Sequence, residues 1–310
     1  MNKIITLLCC LSLISCFNPK PQNTHELIYE FENGSQVSDE DREITITVLK
    51  ERLERFSSDF EVKLTNDRNV KIIAKTSFDE RRFNSIITNQ GKLEFWELYK
   101  GESFHPFIIE ANNLLKNEIQ GDSINYNPIL DVAASGGFQY GPMLLTFKAK
   151  DTAFINKSLN QQDIRALLPD DYKYTKFLWG IPDNVGELPL YAAKTDREAK
   201  PFVTGENITD AKQSYNAIDR PTVSVQLDEN GAKRWERMTE IAFQQQTSIA
   251  ITLNDLVYSA PGVTSGPIHG GSFEISGSFT LEEAQDLAVI LSSSKRIPKL
   301  KLLKASIINN

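Results

Sequence analysis

An α+β fold is predicted for this chain of 310 residues. Short segments in which apolar and polar residues alternate, as in half-buried strands, are interleaved with segments whose apolar residues recur at helical spacing. Hydrophobic residues make up 40% and charged residues 24% of the chain, which is an ordinary globular mixture and argues against a disordered protein.

The N-terminal third follows the order β-α-β-β-α-β. The predicted elements are a strand at 27–31, a helix from Ser38 or Asp39 to Phe56, strands at 60–64 and 70–74, a helix at 79–88 and a strand at 93–99. This order is typical of a ferredoxin-like plait, so we expect such a plait to form the base of the molecule.

The middle, residues 100–200, is less regular. Its predicted elements are a helix near 108–119, a loop over 121–141, a strand at 143–149, a helix at 152–159 and a strand ending at 177–180. The apolar content stays high throughout, which favours an elaborated insertion over a linker.

Residues 201–296 become regular again, and a second β-α-β-β-α-β run with one extra strand is predicted. Its elements are a helical turn at 209–215, a strand at 221–227, a helix at 228–245 with Phe243 facing inward, a hairpin at 249–258, a strand at 272–276 and a helix at 280–292 with Leu281 facing inward. Thr280 and Glu283 have the spacing of a capping box. A last strand is predicted at 298–308.

The first residues have the features of an export signal. A positive start at Lys3 precedes an apolar run, 4–14, that is too short to span a bilayer. The run ends Leu13-Ile14-Ser15-Cys16, which looks like a bacterial lipobox. We therefore expect residues 1–15 to be a signal peptide, Cys16 to be lipidated and 16–26 to be a tether. The alternative is a plain signal peptide with an incidental cysteine.

Composition excludes several function classes. The net charge of −7 disfavours nucleic-acid binding, and the basic segment 295–304 is interleaved with apolar residues as in a strand. All cysteines lie in the first 16 residues, so internal disulfides and a cysteine nucleophile are not expected in the rest of the chain. His25, His105 and His269 lack ligand spacing, so neither a metal nor a cofactor is predicted.

Several segments together resemble the SecD family of protein-export subunits, and most closely its fused SecDF form. They are Gly91–Tyr99 (GKLEFWELY), Ile164–Pro169 (IRALLP), Phe177–Gly180 (FLWG), Val203–Ala211 (VTGENITDA), Asn230–Trp235 (NGAKRW), Ser248–Ile251 (SIAI), Val257–Pro261 (VYSAP) and Ile268–Phe279 (IHGGSFEISGSF). The family's plait-like base carries an inserted head. The resemblance thus implies a base of 27–99 plus 297–310 and a head of 100–296.

The same resemblance also has departures. A lipidated cysteine is expected where the family has its first membrane span, and Ile297-Pro298 follows Ser292-Ser-Ser-Lys295 where the family usually has a glycine before Leu-Pro. The family's proton-coupling acids lie in its membrane spans. The resemblance therefore implies a lipoprotein on the extracytoplasmic side of the inner or outer membrane that has no proton coupling of its own.

No catalytic motif accompanies this pattern. The glycines at 266–271 do not match a dinucleotide loop, and no base is placed beside Ser259. We predict a non-catalytic accessory that binds unfolded or exported polypeptide and works with Sec translocon components. The predicted binding tip is Tyr258, Ser259, Ala260, Pro261, Gly262, Ile268 and Phe273. A structural envelope lipoprotein, or a hydrolase hidden in the middle segment, remain as alternatives.

Overall fold

The computed structural model describes residues 22–118, 126–136, 141–277, 279–293 and 295–308, and its mixture of helices and sheets confirms the predicted α+β class. The strands are β1 (Asn23–Phe31), β2 (Asp59–Asn66), β3 (Asn69–Thr76), β4 (Leu93–Glu97), β5 (Ala133–Gly136), β6 (Met143–Lys148), β7 (Lys176–Gly180), β8 (Glu187–Ala193), β9 (Val203–Thr204), β10 (Ile208–Tyr215), β11 (Pro221–Leu227), β12 (Ile249–Leu253), β13 (Leu256–Ser259), β14 (Ser272–Ile275) and β15 (Leu300–Ile308). The helices are α1 (Asp39–Glu54), α2 (Glu80–Thr88), α3 (His105–Glu118), α4 (Thr152–Leu159), α5 (Gln162–Arg165), α6 (Glu229–Gln245) and α7 (Leu281–Ser292).

The strands β15, β1, β3 and β2 form, in that order, a four-stranded antiparallel sheet that we call the base sheet. Alternate residues of β1 and β3 are buried, as expected of a sheet with one covered face. The core of this layer also takes in Leu49 of α1 and Phe83 of α2. The last strand of the chain thus completes a sheet whose other strands lie more than 220 positions earlier.

The prediction that β4 lies in the base sheet is wrong. β4 pairs with β12 and with the short β9 in a sheet of eight strands, in the order β5-β6-β8-β7-β13-β12-β4-β9. Just after β4, Leu98 bridges to Ala193 and the Tyr99 amide donates to the Ala192 carbonyl of β8 at 2.9 Å. The sheet therefore curls until β4 meets β8. Both faces of β4 are buried, so its apolar residues could not reveal which sheet it joins.

The middle segment supplies β5, β6, β7 and β8 to this eight-stranded sheet. The predicted elements at 108–119, 143–149, 152–159 and 177–180 are confirmed as α3, β6, α4 and β7. A separate hydrophobic core lies between these strands and the helices, with Phe107, Ile155 and Phe147 among its buried residues. The predicted loop at 121–141 contains β5, and residues 119–125 and 137–140 lie outside the described residues.

The last third forms two sheets, and not the single second plait that was predicted. β10, β11 and β14 make a three-stranded sheet, whereas β12 and β13 join the eight-stranded one. The predicted helical turn at 209–215 is wrong, because this segment pairs with β11 along its length as β10. Phe243 and Leu281 are 42% and 41% exposed, so neither faces inward as predicted.

The hairpin and the capping box of this region are confirmed. Asn254 and Asp255 both have positive φ (51° and 70°), which suits the tight turn between β12 and β13. Thr280 accepts from the Glu283 amide, and the Glu283 carboxylate accepts from Thr280 in return.

The predicted signal peptide and Cys16 lie outside the described residues, as do the final two residues of the predicted base. The predicted tether overlaps β1, because that strand begins at Asn23 and therefore four residues earlier than expected. Among the residues that the structure does describe, no helix combines the length and the apolar character needed to cross a bilayer.

Candidate functional site: an apolar cavity in the head

A cavity of about 270 Å³ opens between the eight-stranded and the three-stranded sheets of the head. We call it the head cavity. Its lining is Trp235, Ile249, Ile251, Pro261, Gly262, Val263, Thr264, Ser265, Gly266, Ile268, Ser272, Phe273 and Glu274. Four of the seven predicted tip residues are in this lining: Pro261, Gly262, Ile268 and Phe273.

Two aromatic side chains, Trp235 and Phe273, form one wall, and a third, Phe95, is buried behind them. The ring centroids of Trp235 and Phe273 are 4.5 Å apart, and Phe95 packs edge-on against both at 5.3 and 5.4 Å. Trp235 comes from α6, Phe273 from β14 and Phe95 from β4, so this cluster joins three elements that are distant in sequence. Such aromatic clusters offer a large apolar surface of fixed geometry.

The segment between β13 and β14 forms the other wall and is held at both ends. The Ile249 amide donates to the Pro261 carbonyl at 3.0 Å, and Ser248 bridges to Gly262. Farther along, the Ile268 amide donates to Thr239 Oγ1 at 2.9 Å. His269 Nδ1 lies 2.9 Å from Glu236 Oε1. The cavity is therefore a defined feature of the fold and does not depend on a loosely attached loop.

Gly271 closes this segment against α6. A Cβ at Gly271 would lie 2.7 Å from the Ala232 Cβ, and the residue has a φ of +70°. Both the close approach and the left-handed conformation require glycine here. The glycine-rich composition of 262–277 is thus explained, at this position, by packing.

The other three predicted residues do not line the cavity. Tyr258 packs against the hydrophobic core that contains Trp235. Burial raises the pKa of its hydroxyl, and Glu283 makes a smaller contribution in the same direction. Ser259 ends β13 opposite Ile251, and Ala260 packs against a different core that contains Trp96. These three residues directly precede Pro261, where the lining of the cavity begins in this segment.

Sequence reasoning missed nine of the lining residues: Trp235, Ile249, Ile251, Val263, Thr264, Ser265, Gly266, Ser272 and Glu274. Trp235 is a core residue that is only 4% exposed. Its Nε1 nevertheless has no hydrogen-bond partner within the described part of the chain. Nothing in the sequence signals this, because the acceptor positions depend on tertiary packing.

Beside the cavity, β14 is the last strand of its sheet. It pairs with β11 from Val223–Ile275 to Gln226–Ser272, and no other described strand pairs with its second edge. Phe273 and Glu274 of this strand also line the cavity. An apolar pocket therefore lies next to an open strand edge. This combination suits an extended chain that pairs its backbone and inserts a side chain.

The described residues contain no group of three or more His, Cys, Asp or Glu placed to hold a metal ion.

The part of the chain that contains the cavity is similar to a known subdomain. Residues 190–295, which include the whole lining, match the family model for the SecDF P1 head subdomain. The chain is similar in sequence to SecD and SecDF proteins, which confirms the resemblance noted in the sequence.

Two relatives illustrate the extent of the similarity. The protein translocase subunit SecD of Rhodothermus marinus is 34% identical over 169 residues, which cover 54% of this chain and 26% of that protein. Protein translocase subunit SecDF of Brucella abortus biovar 1 is 42% identical over 94 residues, or 30% of this chain and 12% of that protein. The chain thus aligns with roughly a quarter or less of the length of these two relatives.

Two solved structures share the fold. A crystal structure of SecDF in its super-membrane-facing form superposes with a TM-score of 0.54 at 18% identity, covering 93% of this chain and 30% of that one. The second is a structure of the membrane component SecDF that enhances protein export. It gives a TM-score of 0.50 at 19% identity, covering 90% of this chain and 98% of that one.

Proposed function

We propose that this protein is a non-catalytic accessory of Sec-dependent protein export that binds unfolded or exported polypeptide in its head cavity. The observation that carries this proposal is the apolar cavity beside the open edge of β14. Its volume of about 270 Å³ exceeds the ~150 Å³ that suffices for a benzene-sized group. The relationship to translocase subunits supports an exported chain as the client and translocon components as partners.

The expected affinity is modest. One inserted side chain and a few backbone hydrogen bonds correspond to micromolar binding, about −8 kcal/mol. Micromolar binding would let the protein hold a chain and release it again. Neither nucleotide nor metal is needed in this scheme.

The test is binding of the purified mature protein to a fluorescently labelled, permanently unfolded polypeptide, with variants that fill the cavity. Ser265 is exposed at the cavity rim, so Ser265→Trp should block entry without disturbing the core. Val185 is 77% exposed and does not line the cavity, so Val185→Trp is the matched control. We expect Ser265→Trp to weaken binding at least tenfold and Val185→Trp to leave it unchanged. Equal affinities of the two variants would rule out this cavity as the site.

The proposal places the protein at the cell envelope through a lipid on Cys16. One acyl chain holds a protein only marginally, whereas two or three anchor it stably. Replacing this residue, Cys16→Ala, should abolish acyl labelling and release the protein from membranes. Unchanged labelling and membrane retention in this variant would contradict the anchor.

A further inference from the structure

Unpaired cations lie along the last strand, β15, and directly before it. Lys299, Lys301 and Lys304 are exposed, and in the part of the chain that the structure describes none of them forms an ion pair. No acidic residue follows Asp286 in the sequence, although the chain has a net charge of −7. Lys295 and Arg296 are not part of this group, because they line a cleft with Glu40 and Glu206.

The same strand has an open backbone edge. β15 is nine residues long and pairs with β1 alone, as the last strand of the base sheet. It contains no proline, and its exposed apolar residues are Leu303, Ile307 and Ile308 at 49%, 52% and 37%. Long edge strands with exposed apolar residues readily accept another strand. On the opposite edge strand, β2, the exposed residues are all polar, so that edge is better protected.

The charges determine which strand fits. Lys301 lies opposite Glu30 of β1. Lys304 contributes to lowering the pKa of Glu26, although the hydrogen bond from Lys71 is the larger cause. Neither lysine makes a direct ion pair within the described residues, so both ammonium groups are available to a partner that approaches from solvent. Two copies of β15 would bring their lysines together, which opposes self-association, whereas acidic side chains would be attracted.

We propose that the open edge of β15 binds an extended acidic polypeptide segment, which adds to the base sheet as a fifth strand. Lys301 and Lys304 lie opposite Glu30 and Ile28 across a register shift in the β1–β15 pair, so both lysines are on the same face of the sheet. Backbone hydrogen bonds would provide the register of the bound strand, and its acidic side chains on that face would meet Lys301 and Lys304. This site is separate from the head cavity, and the proposal does not depend on the function assigned to that cavity.

The test uses the full mature chain and a fluorescent peptide of the length of β15 in which glutamate and valine alternate. The control peptides replace glutamate by lysine, or place a proline at the centre to prevent strand pairing. The matched protein variants are K301Q/K304Q and K150Q/K157Q. Both pairs change the net charge equally, and Lys150 and Lys157 are exposed residues of the head without an ion pair in the described chain.

We expect the acidic peptide alone to bind, K301Q/K304Q to weaken it about tenfold, and K150Q/K157Q to have no effect. Hydrogen exchange at the amides of β15 should slow when the peptide is bound. Equal binding of the acidic and proline peptides, or equal effects of the two variants, would overturn the proposal. So would binding of the protein to anionic phosphatidylglycerol vesicles through these lysines with no peptide binding at all.

Discussion

Arg52 and Ser293, 241 positions apart in sequence, are joined by a hydrogen bond of 3.1 Å from the guanidinium Nε to the serine Oγ. Arg52 is fully buried, and its Nη1 also donates to the carbonyls of Ile86 and Asn89 at 2.8 and 2.6 Å. Burial lowers the pKa of the Arg52 guanidinium, which still leaves it charged at neutral pH. One side chain of α1 thus connects the end of α2 in the base with the end of α7 in the head.

Arg52→Ala should therefore destabilise the protein by about 3 kcal/mol or more, because it leaves three acceptors and a cavity in the interior. Ser293→Ala should cost about 1–2 kcal/mol, since the Arg52 Nε then loses its partner. The measurement is urea unfolding followed by circular dichroism. Arg81→Ala is the control, because Arg81 is an exposed residue of α2. If Arg52→Ala is no more harmful than Arg81→Ala, the connection contributes nothing to stability.

A fragment covering residues 22–100 should be much less stable than the base within the whole chain. It lacks β15, whose pairing with β1 runs from Phe31–Leu300 to Thr24–Ile308. Removing β15 exposes buried residues of the base core, including Leu27 and Tyr29. Adding a peptide of residues 297–308 in trans should restore part of the lost stability. A fragment that unfolds at the same urea concentration as the base in the whole chain would show that β15 is dispensable.

Gly271→Ala should destabilise the head by about 1–3 kcal/mol, because the new methyl group would collide with Ala232 in a backbone conformation that favours glycine. Gly266→Ala provides the comparison. Gly266 has a φ of +93°, but no atom lies within 4 Å of the position its Cβ would take. Thermal unfolding of the two variants separates the steric cost from the conformational one. A smaller loss for Gly271→Ala than for Gly266→Ala would contradict the close packing of the cavity wall.

The free energy of unfolding should depend on pH through Asp286, and the surroundings of its carboxyl group determine the sign of that dependence. Burial raises the pKa of this carboxyl, and the pairing with Arg82, whose Nη2 lies 2.7 Å from Oδ1, only partly opposes that rise. Above the ordinary pKa of 3.8 the folded state therefore binds more protons than the unfolded state, and the unfolding free energy declines as pH rises through the raised pKa. Asp286→Asn removes this decline.

The unfolding free energy of Asp286→Asn, relative to the wild type, should thus increase between acidic and neutral pH. Urea titrations at both conditions measure the difference. Glu110→Gln, at an exposed position of α3 that forms no ion pair among the described residues, is the control for the loss of a carboxylate. If Asp286→Asn instead loses stability relative to the wild type between acidic and neutral pH, the ion pair with Arg82 outweighs the cost of burying the carboxylate.

Local patterns predicted much of this fold. The predicted helix at 152–159 agrees with the structure because Ile155 and Leu159, four positions apart, share its buried face. The predicted strand at 143–149 agrees because a short apolar run is typical of a strand that is buried on both faces. The capping box at Thr280 was found because its two hydrogen bonds form within four residues. The family segments predicted the relationship to SecD and SecDF as well.

Long-range pairing could not be predicted in the same way. β10 was taken for a helical turn because only pairing with β11 makes Ile208 and Ala211 core residues. β4 was placed in the wrong sheet because its apolar residues suit a strand of either sheet. The predicted tip contained Pro261 and Phe273, which belong to one continuous stretch of sequence. It lacked Trp235 and Ile249, because these residues reach the cavity from other elements through long-range packing.

If the head cavity holds polypeptide during export, site-specific photo-crosslinking in intact cells should capture that polypeptide at the cavity. A photoreactive amino acid at Thr264, on the exposed rim of the cavity, is compared with one at Val185, which is exposed outside it. We predict that Thr264 captures newly exported polypeptides, that Val185 does not, and that capture stops when export is blocked. Equal capture from both positions, or none from Thr264 while export proceeds, would contradict the proposed function.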